Sequence, residues 1–194
     1  MKFYIDITFL PAGDISNRFL WEKVYQQVHI AMVDYKNGGG SLSIAAAFPK
    51  YSAKNYDLGD KLRLMSKNES AFSDFNIRER LAKFADYVHL TAAREVPTEI
   101  SSHVSYSRYA VDSSKKRQME RRMRRHNETE AQAEIHFSGY RSKKVNLPFV
   151  YIYSHTTNTR FPLFVSEICS VINVEGGENF DSYGLSSDGH LPFF

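Results

Sequence analysis

The chain of 194 residues is 42% apolar and 14% aromatic, and its 25 Lys and Arg stand against 22 Asp and Glu, a net charge of +3; this is enough for a packed core, excludes wholesale disorder and suits one large domain or two small ones. One cysteine, Cys169, excludes a disulfide framework and a Cys-rich zinc site and suits the reducing cytoplasm. No run of about 18 apolar residues is present to span a bilayer, and Met1-Lys2-Phe3-Tyr4-Ile5-Asp6 alternates like a strand where a secretory signal would run apolar, so a cytoplasmic protein without membrane contact is expected.

Residues 3–9 read as a strand closed by Pro11 and Gly13. A helix follows, capped by Ser16 or Asn17, with Leu20, Trp21, Val24, Tyr25, Val28, Met32 and Tyr35 at helical spacing and Gly38-Gly39-Gly40 at its end. Residues 41–48 form a short apolar run before Pro49 and are predicted as a buried strand, and residues 61–66 alternate as another. Phe72, Phe75, Ile77, Leu81, Phe84 and Ala85 predict one amphipathic helix over 70–86, and 87–94 returns to strand. The order β-α-β-β-α-β is the ferredoxin-like split arrangement also used by RNA-recognition modules.

Pro97–Ser102 reads as a linker. The expected organisation is therefore α+β, with an N-terminal ferredoxin-like (RRM-like) domain over 1–96 and a C-terminal α+β domain over 97–194. In the second half, residues 103–111 alternate aromatic and polar side chains, a basic helix covers about 113–126 from Asp112 or Ser113, and a short helix about 128–136 follows. Strands are predicted at 148–154, 161–167, 170–175 and 180–185, with Gly176-Gly177 in a hairpin turn.

Seven of the eleven residues from Lys115 to Arg125 are Lys or Arg and one is Glu, so this stretch carries +6 and the rest of the chain carries −3. As a helix it sets Arg117, Arg121, Arg124 and Arg125 on one face and Met119 and Met123 on another. It is poorly built for its own stability. Lys115, Lys116 and Arg117 sit at the positive end of the helix dipole, and like charges at 117/121 and 121/125 each cost roughly 0.2–0.5 kcal/mol. A polyanion relieves all of these conflicts together. A solvated face accounts for an ordinary charge run; a run of one sign, with no acid expected in its flanks to balance it, points to nucleic acid or an acidic surface.

No HExxH, GxxxxGK[ST] or GxSxG motif and no tight acidic cluster is present, so any nuclease chemistry is expected to run without a metal or other cofactor. His29 lies at the border of the first helix's apolar stripe, between Val28 and Ile30. Taken alone, a histidine there is a core-edge residue. Beside an RNA-binding helix it has another use, because RNA carries its own nucleophile and a single imidazole can deprotonate the 2'-hydroxyl, leaving a 2',3'-cyclic phosphate.

Tyr4-Ile5-Asp6-Ile7, His29, Val104-Ser105-Tyr106-Ser107-Arg108, Arg124-Arg125-His126, Leu147-Pro148-Phe149-Val150 with Ser154, Tyr183-Gly184-Leu185-Ser186 and Pro192-Phe193-Phe194 follow one another along the chain. In order and spacing this set resembles the CRISPR RNA-processing endoribonucleases of type I-F systems. The resemblance implies a metal-independent enzyme that binds the hairpin of the CRISPR repeat, cuts at its 3' base and keeps the guide RNA within a surveillance complex. Other subunits of that complex are then its protein partners, and target DNA is met only through the complex. By position, His29 is implied as general base, Ser154 as the holder of the attacked ribose and Tyr183 as the residue that orients the imidazole. Arg108 is implied to read a guanine through O6 and N7, and Phe161 to stack under the terminal base pair. Lys116, Arg117, Arg121, Arg124 and Arg125 are implied to line the deep A-form major groove, chiefly on phosphates. Ala110 stands where the family places a glutamine, so the second base pair is unread or read elsewhere.

Two further readings use the same helix. A non-catalytic subunit that caps a finished guide RNA needs the charge but not His29. A DNA-binding or acidic-protein-binding module makes no use of the 2'-hydroxyl.

Overall fold

β1 (Phe3–Phe9) is the hub of the first sheet in a computed structural model that describes residues 1–39, 44–111, 115–141, 144–170 and 179–194. β3 (Lys61–Ser66) pairs antiparallel along its whole length, with Ile5 opposite Leu64 and Ile7 opposite Leu62. β4 (Val88–Leu90) and β5 (Arg94–Glu95) share the other edge of β1, and β2 (Ala45–Ala47) lies outside β3, giving the order β2-β3-β1-β4. Every pairing in this sheet is antiparallel.

α1 (Asn17–Asn37) begins at Ser16, whose hydroxyl accepts from the Phe19 amide, and ends at Gly38, whose N–H returns to Asp34 and Lys36 carbonyls. Its buried stripe is Leu20, Trp21, Val24, Tyr25, Val28, Ala31 and Met32, the 3.6-residue pattern seen in the sequence. Burying each of the larger aliphatics contributes about 1.5–3 kcal/mol. Within the described part of the strand predicted at 41–48, Ala45–Ala47 forms, between buried Ile44 and Phe48; Gly40 and residues 41–43 lie outside the described residues.

Two expectations for this half change. The helix predicted over 70–86 is broken into α2 (Ser70–Phe75), α3 (Ile77–Arg80) and a 3-10 turn at Ala82–Phe84. Asn76, at φ 46 and ψ 37, turns the backbone left-handed and ends the first piece, while Phe72, Phe75, Ile77 and Leu81 still reach the core. β3 also lacks the wet face that its alternation suggests, because Leu62–Ser66 are all buried. Arg63 is tolerated there by pairing: it grips Asp6 through two bonds of 2.7 and 3.0 Å, donates to the Phe194 carbonyl, and lies over the Tyr4 and Phe194 rings.

The second sheet is antiparallel in the order β7-β8-β6-β9. It comprises β6 (Ser102–Tyr109), β7 (Phe149–Ser154), β8 (Thr159–Ser170) and β9 (Leu191–Phe193). The strand predicted at 170–175 and the Gly176-Gly177 turn fall, beyond Ser170, outside the described residues. Residues 180–185 are a turn and not a strand; the Asp181 carboxylate accepts from the Tyr183 and Leu185 amides at 2.8 and 3.0 Å, taking the donors that a ladder would have used. The sheet's fourth strand is β9, which the sequence did not announce.

The chain divides into two compact units, residues 1–109 with 147–194, and residues 110–146. Both sheets and α1 belong to the first. The second contains α4 (Lys115–His126) and α5 (Glu130–His136), with Asn127 left-handed between them and Thr129 and Gln132 forming a capping box. Asp112 and Ser113, the expected cap of the basic helix, lie outside the described residues.

Candidate active site

α1 presents one row of side chains to β7, the edge strand of the second sheet, each position three or four residues after the last. The Arg18 guanidinium lies 4.9 Å from the Phe149 ring centre. Glu22 pairs at 2.6 Å with Arg160, which itself covers Tyr151 at 3.5 Å. The Gln26 amide brackets Tyr153, donating to its carbonyl at 3.1 Å and accepting from its N–H at 2.8 Å. Gln26 thus satisfies two groups that an edge strand leaves unpaired. His29 comes next in the row.

The turn at 181–185 is fastened to the same helix. Tyr25 Oη donates to the Tyr183 carbonyl at 2.9 Å, and His29 Nδ1 lies 2.7 Å from the Ser182 carbonyl. Gly184, at φ +75, lets the turn come this close; a Cβ there would stand 2.7 Å from Met32 Cε and 2.8 Å from the Ala46 nitrogen. The Tyr183 ring then lies flat on the imidazole, centroids 4.3 Å apart and planes inclined by 15°.

A carbonyl can only accept, so the Ser182 contact places the proton on Nδ1 and leaves the Nε2 lone pair as the basic site. Nε2 has no hydrogen-bond partner among the described residues. Burial is the largest influence on the imidazole and holds its pKa below the ordinary 6.5. The Ser182 bond and the Asp181 charge oppose burial, and the nearby His155 charge acts with it. The result is a histidine kept neutral and of one tautomer near pH 7. Burial also raises the Tyr183 phenol, against the pull of Arg108, so that ring stays uncharged.

Arg108, exposed near the end of β6, extends this stack: its guanidinium lies 5.5 Å from the Tyr183 ring centre and 5.7 Å from that of Phe161 on β8. It also lines an open cavity of about 420 Å³ walled by Ser107, Asn179, Asp181, Ser186 and Asp188. His29, Tyr183, Arg108 and Phe161 are therefore one contiguous group. Ser154 ends β7 directly after the residue clamped by Gln26, and its Oγ accepts from the Thr157 amide at 3.3 Å, leaving its O–H free to donate.

The basic residues stand in the second unit. Lys116, Arg117, Arg121, Arg124 and Arg125 of α4 are exposed. The expectation that the flanks supply no acid fails at one position: Glu128 takes Arg122 in a bidentate pair of 2.7 and 2.8 Å. That pair turns Arg122 away from the exposed row, while Arg121, Arg124 and Arg125 make no ion pair among the described residues.

Four contributors went unseen in the sequence: Tyr25, Gln26, Asp181 and the Ser182 carbonyl. Tyr25 and Gln26 left a trace, since they sit four and three residues before His29 on its own helix face, and Asp181 two residues before Tyr183 is the spacing of an Asx turn. No described helix is long and apolar enough to cross a membrane.

The family model described as CRISPR-associated protein (Cas_Csy4) matches residues 4–194. Two curated relatives, both named CRISPR-associated endonuclease Cas6/Csy4, come from Pseudomonas aeruginosa (strain UCBPP-PA14) and Escherichia coli (strain UTI89 / UPEC). Each is 27% identical, over 194 and 196 residues, with all of this chain and all of the relative covered. With a single family model running through the helix that carries His29, the basic helix and the Tyr183 turn, this chain belongs to the Cas_Csy4 family of CRISPR-associated proteins.

Proposed function

We propose that this protein is an endoribonuclease that processes precursor CRISPR RNA, binding the repeat hairpin and cutting at the 3' base of its stem without a metal. The observation that carries the reading is the His29 imidazole, held by the Ser182 carbonyl and stacked on Tyr183 with Nε2 open. Nε2 takes the proton of the 2'-hydroxyl upstream of the cut. The 2'-oxygen then attacks phosphorus, the bond to the 5'-oxygen breaks, and a 2',3'-cyclic phosphate remains. Ser154 donates to the attacked ribose, and Tyr183 keeps the imidazole in plane.

Arg108 reads a guanine at the foot of the stem with its planar fork, and Phe161 supports the terminal base pair. Lys116, Arg117, Arg121, Arg124 and Arg125 neutralise phosphates along the stem, which accounts for a helix whose exposed row is almost wholly cationic. The product stays bound, and the protein carries its guide RNA into a cytoplasmic surveillance complex with other subunits. We read residues 1–96 as a ferredoxin-like domain, supported by the antiparallel order β2-β3-β1-β4 with α1 between β1 and β2 and α2 and α3 between β3 and β4. Residues 97–194 then form the second domain, with the arginine-rich helix.

The test mixes the protein, in chelator, with a labelled repeat hairpin and with the same RNA carrying a single 2'-deoxy before the expected cut. Cleavage of the first alone is the expected result. Tight binding of both with cleavage of neither would replace the enzyme with a guide-holding subunit.

A further inference from the structure

We propose that His155 is the general acid of this reaction, donating a proton to the departing 5'-oxygen while His29 receives one from the 2'-hydroxyl. The proposal rests on the endoribonuclease reading above and adds a second imidazole to it.

The geometry comes from the register between α1 and β7. Four residues of helix rise about 6 Å, and two residues of strand advance about 6.8 Å. The two elements therefore keep step. Arg18 meets Phe149, Glu22 reaches Tyr151 through Arg160, and Gln26 holds Tyr153. A last, shorter step of three helix residues, about 4.5 Å, brings α1 to His29, while the next position on the same strand face is His155, the first residue after β7. The His155 ring keeps to the row, lying edge-on to Tyr153 with centroids 5.2 Å apart and planes at 80°. It is exposed, so it can meet a phosphodiester lying across Ser154. The influence of its charge on His29 places the two imidazoles within electrostatic reach of each other.

The chemistry of the cut supplies the need. An alkoxide is a poor leaving group, and a proton delivered as the P–O bond breaks removes the charge that would otherwise build there; such assistance is worth roughly 100- to 10,000-fold. His29 cannot give that proton in the same step, because it is taking one. With His155 as imidazolium the step balances: the 2'-proton goes to His29 Nε2, the O2'–P bond forms, the P–O5' bond breaks, and His155 protonates O5'. Water then exchanges the two imidazoles back to their starting states.

The experiment measures single-turnover cleavage of two hairpins, one ordinary and one with sulfur in place of the bridging 5'-oxygen at the cut, by wild type, His155→Ala and His29→Ala. A thiolate leaves without a proton, since a thiol is far more acidic than an alcohol. His155→Ala is expected to slow the ordinary substrate about 100-fold or more and to cut the sulfur substrate within a few-fold of wild type. His29→Ala is expected to lose both. Binding of a 2'-deoxy hairpin and the melting curve of His155→Ala are expected to be unchanged, which sets aside misfolding. Equal slowing of both substrates by His155→Ala would make the residue a phosphate contact and overturn the assignment, as would wild-type rates on both. A wild type that cuts neither overturns the endoribonuclease reading itself.

Discussion

His29 and Ser182 are joined by a 2.7 Å hydrogen bond from ring nitrogen to carbonyl, and that one contact decides which nitrogen can act as a base. His29→Ala is expected to abolish cleavage while hairpin binding stays within a few-fold. The rate should fall on the acid side as the imidazole protonates, and because burial lowers its pKa, the midpoint of that limb should lie below 6.5. The same shift acts on folding. The unfolded chain binds the proton more readily, so stability is lost as pH falls from 6.5 toward the lower folded value. A rate midpoint above 6.5 would contradict the buried base.

Asp181 holds the Tyr183 turn without touching the imidazole's free nitrogen, accepting from the Tyr183 and Leu185 amides. Asp181→Ala should lower kcat about tenfold or more, the scale of one or two lost hydrogen bonds to a charged group, with little change in RNA affinity. Asp181→Asn keeps an accepting oxygen and should recover most of the rate. Equal loss in both variants would assign the effect to charge and not to the turn.

Gln26 is a prediction about stability as well as rate. Its amide makes both bonds to Tyr153, and Gln26→Ala is expected to cost about 1–3 kcal/mol in denaturant unfolding, with slower cleavage because the end of β7 loses its hold beside His29. An unfolding midpoint equal to wild type would show that water replaces the amide at no cost.

Asp6 and Arg63 are 6% and 7% exposed and bound to each other. Burial raises the Asp6 pKa, but the Arg63 bond and charge outweigh it and the net direction is down from 3.8. The pair's contribution is therefore present above the unfolded carboxylate's value and is lost as pH falls through the lower folded one. Arg63→Met leaves buried Asp6 with the longer 3.4 Å contact of Lys61 in place of the guanidinium and should cost up to about 3–5 kcal/mol, measured by urea unfolding at neutral pH. The gap between variant and wild type should narrow in acid.

Arg121, Arg124 and Arg125 should each, on replacement by alanine, weaken hairpin binding and lower the salt slope by about one unit. Arg122→Ala should do less, since Arg122 is already engaged by Glu128. Unchanged slopes for all of the first three would remove α4 from the RNA.

Legibility in the sequence followed the range of the interaction. α1 was readable because its stripe repeats locally, and β1 and β3 because they alternate. The break at Asn76 was not, since the apolar positions on either side continue a helical rhythm through a left-handed residue. The 180–185 turn imitated a strand because Phe180, Tyr183 and Leu185 all pack inward, while the carboxylate that makes it a turn was an unremarked Asp181. The spacing of Gln26 from His29 places it on the same helix face, but its role as a clamp is not local, as its partner Tyr153 is 127 residues away. His29 stood out beside the basic helix, and the resemblance supplied Tyr183, Arg108 and Phe161, which lie with it; periodicity alone leaves these as scattered core-edge and surface residues.

The row from Arg18 to His29 makes length itself a functional property of α1. A residue inserted or deleted between them would rotate everything beyond it by about 100°, swinging the imidazole off the Ser182 carbonyl and away from β7 while hydrophobic composition stayed nearly unchanged. Point substitutions on the outer face of this helix can be absorbed one at a time. A change in its residue count cannot, unless the strand edge beside it changes in step.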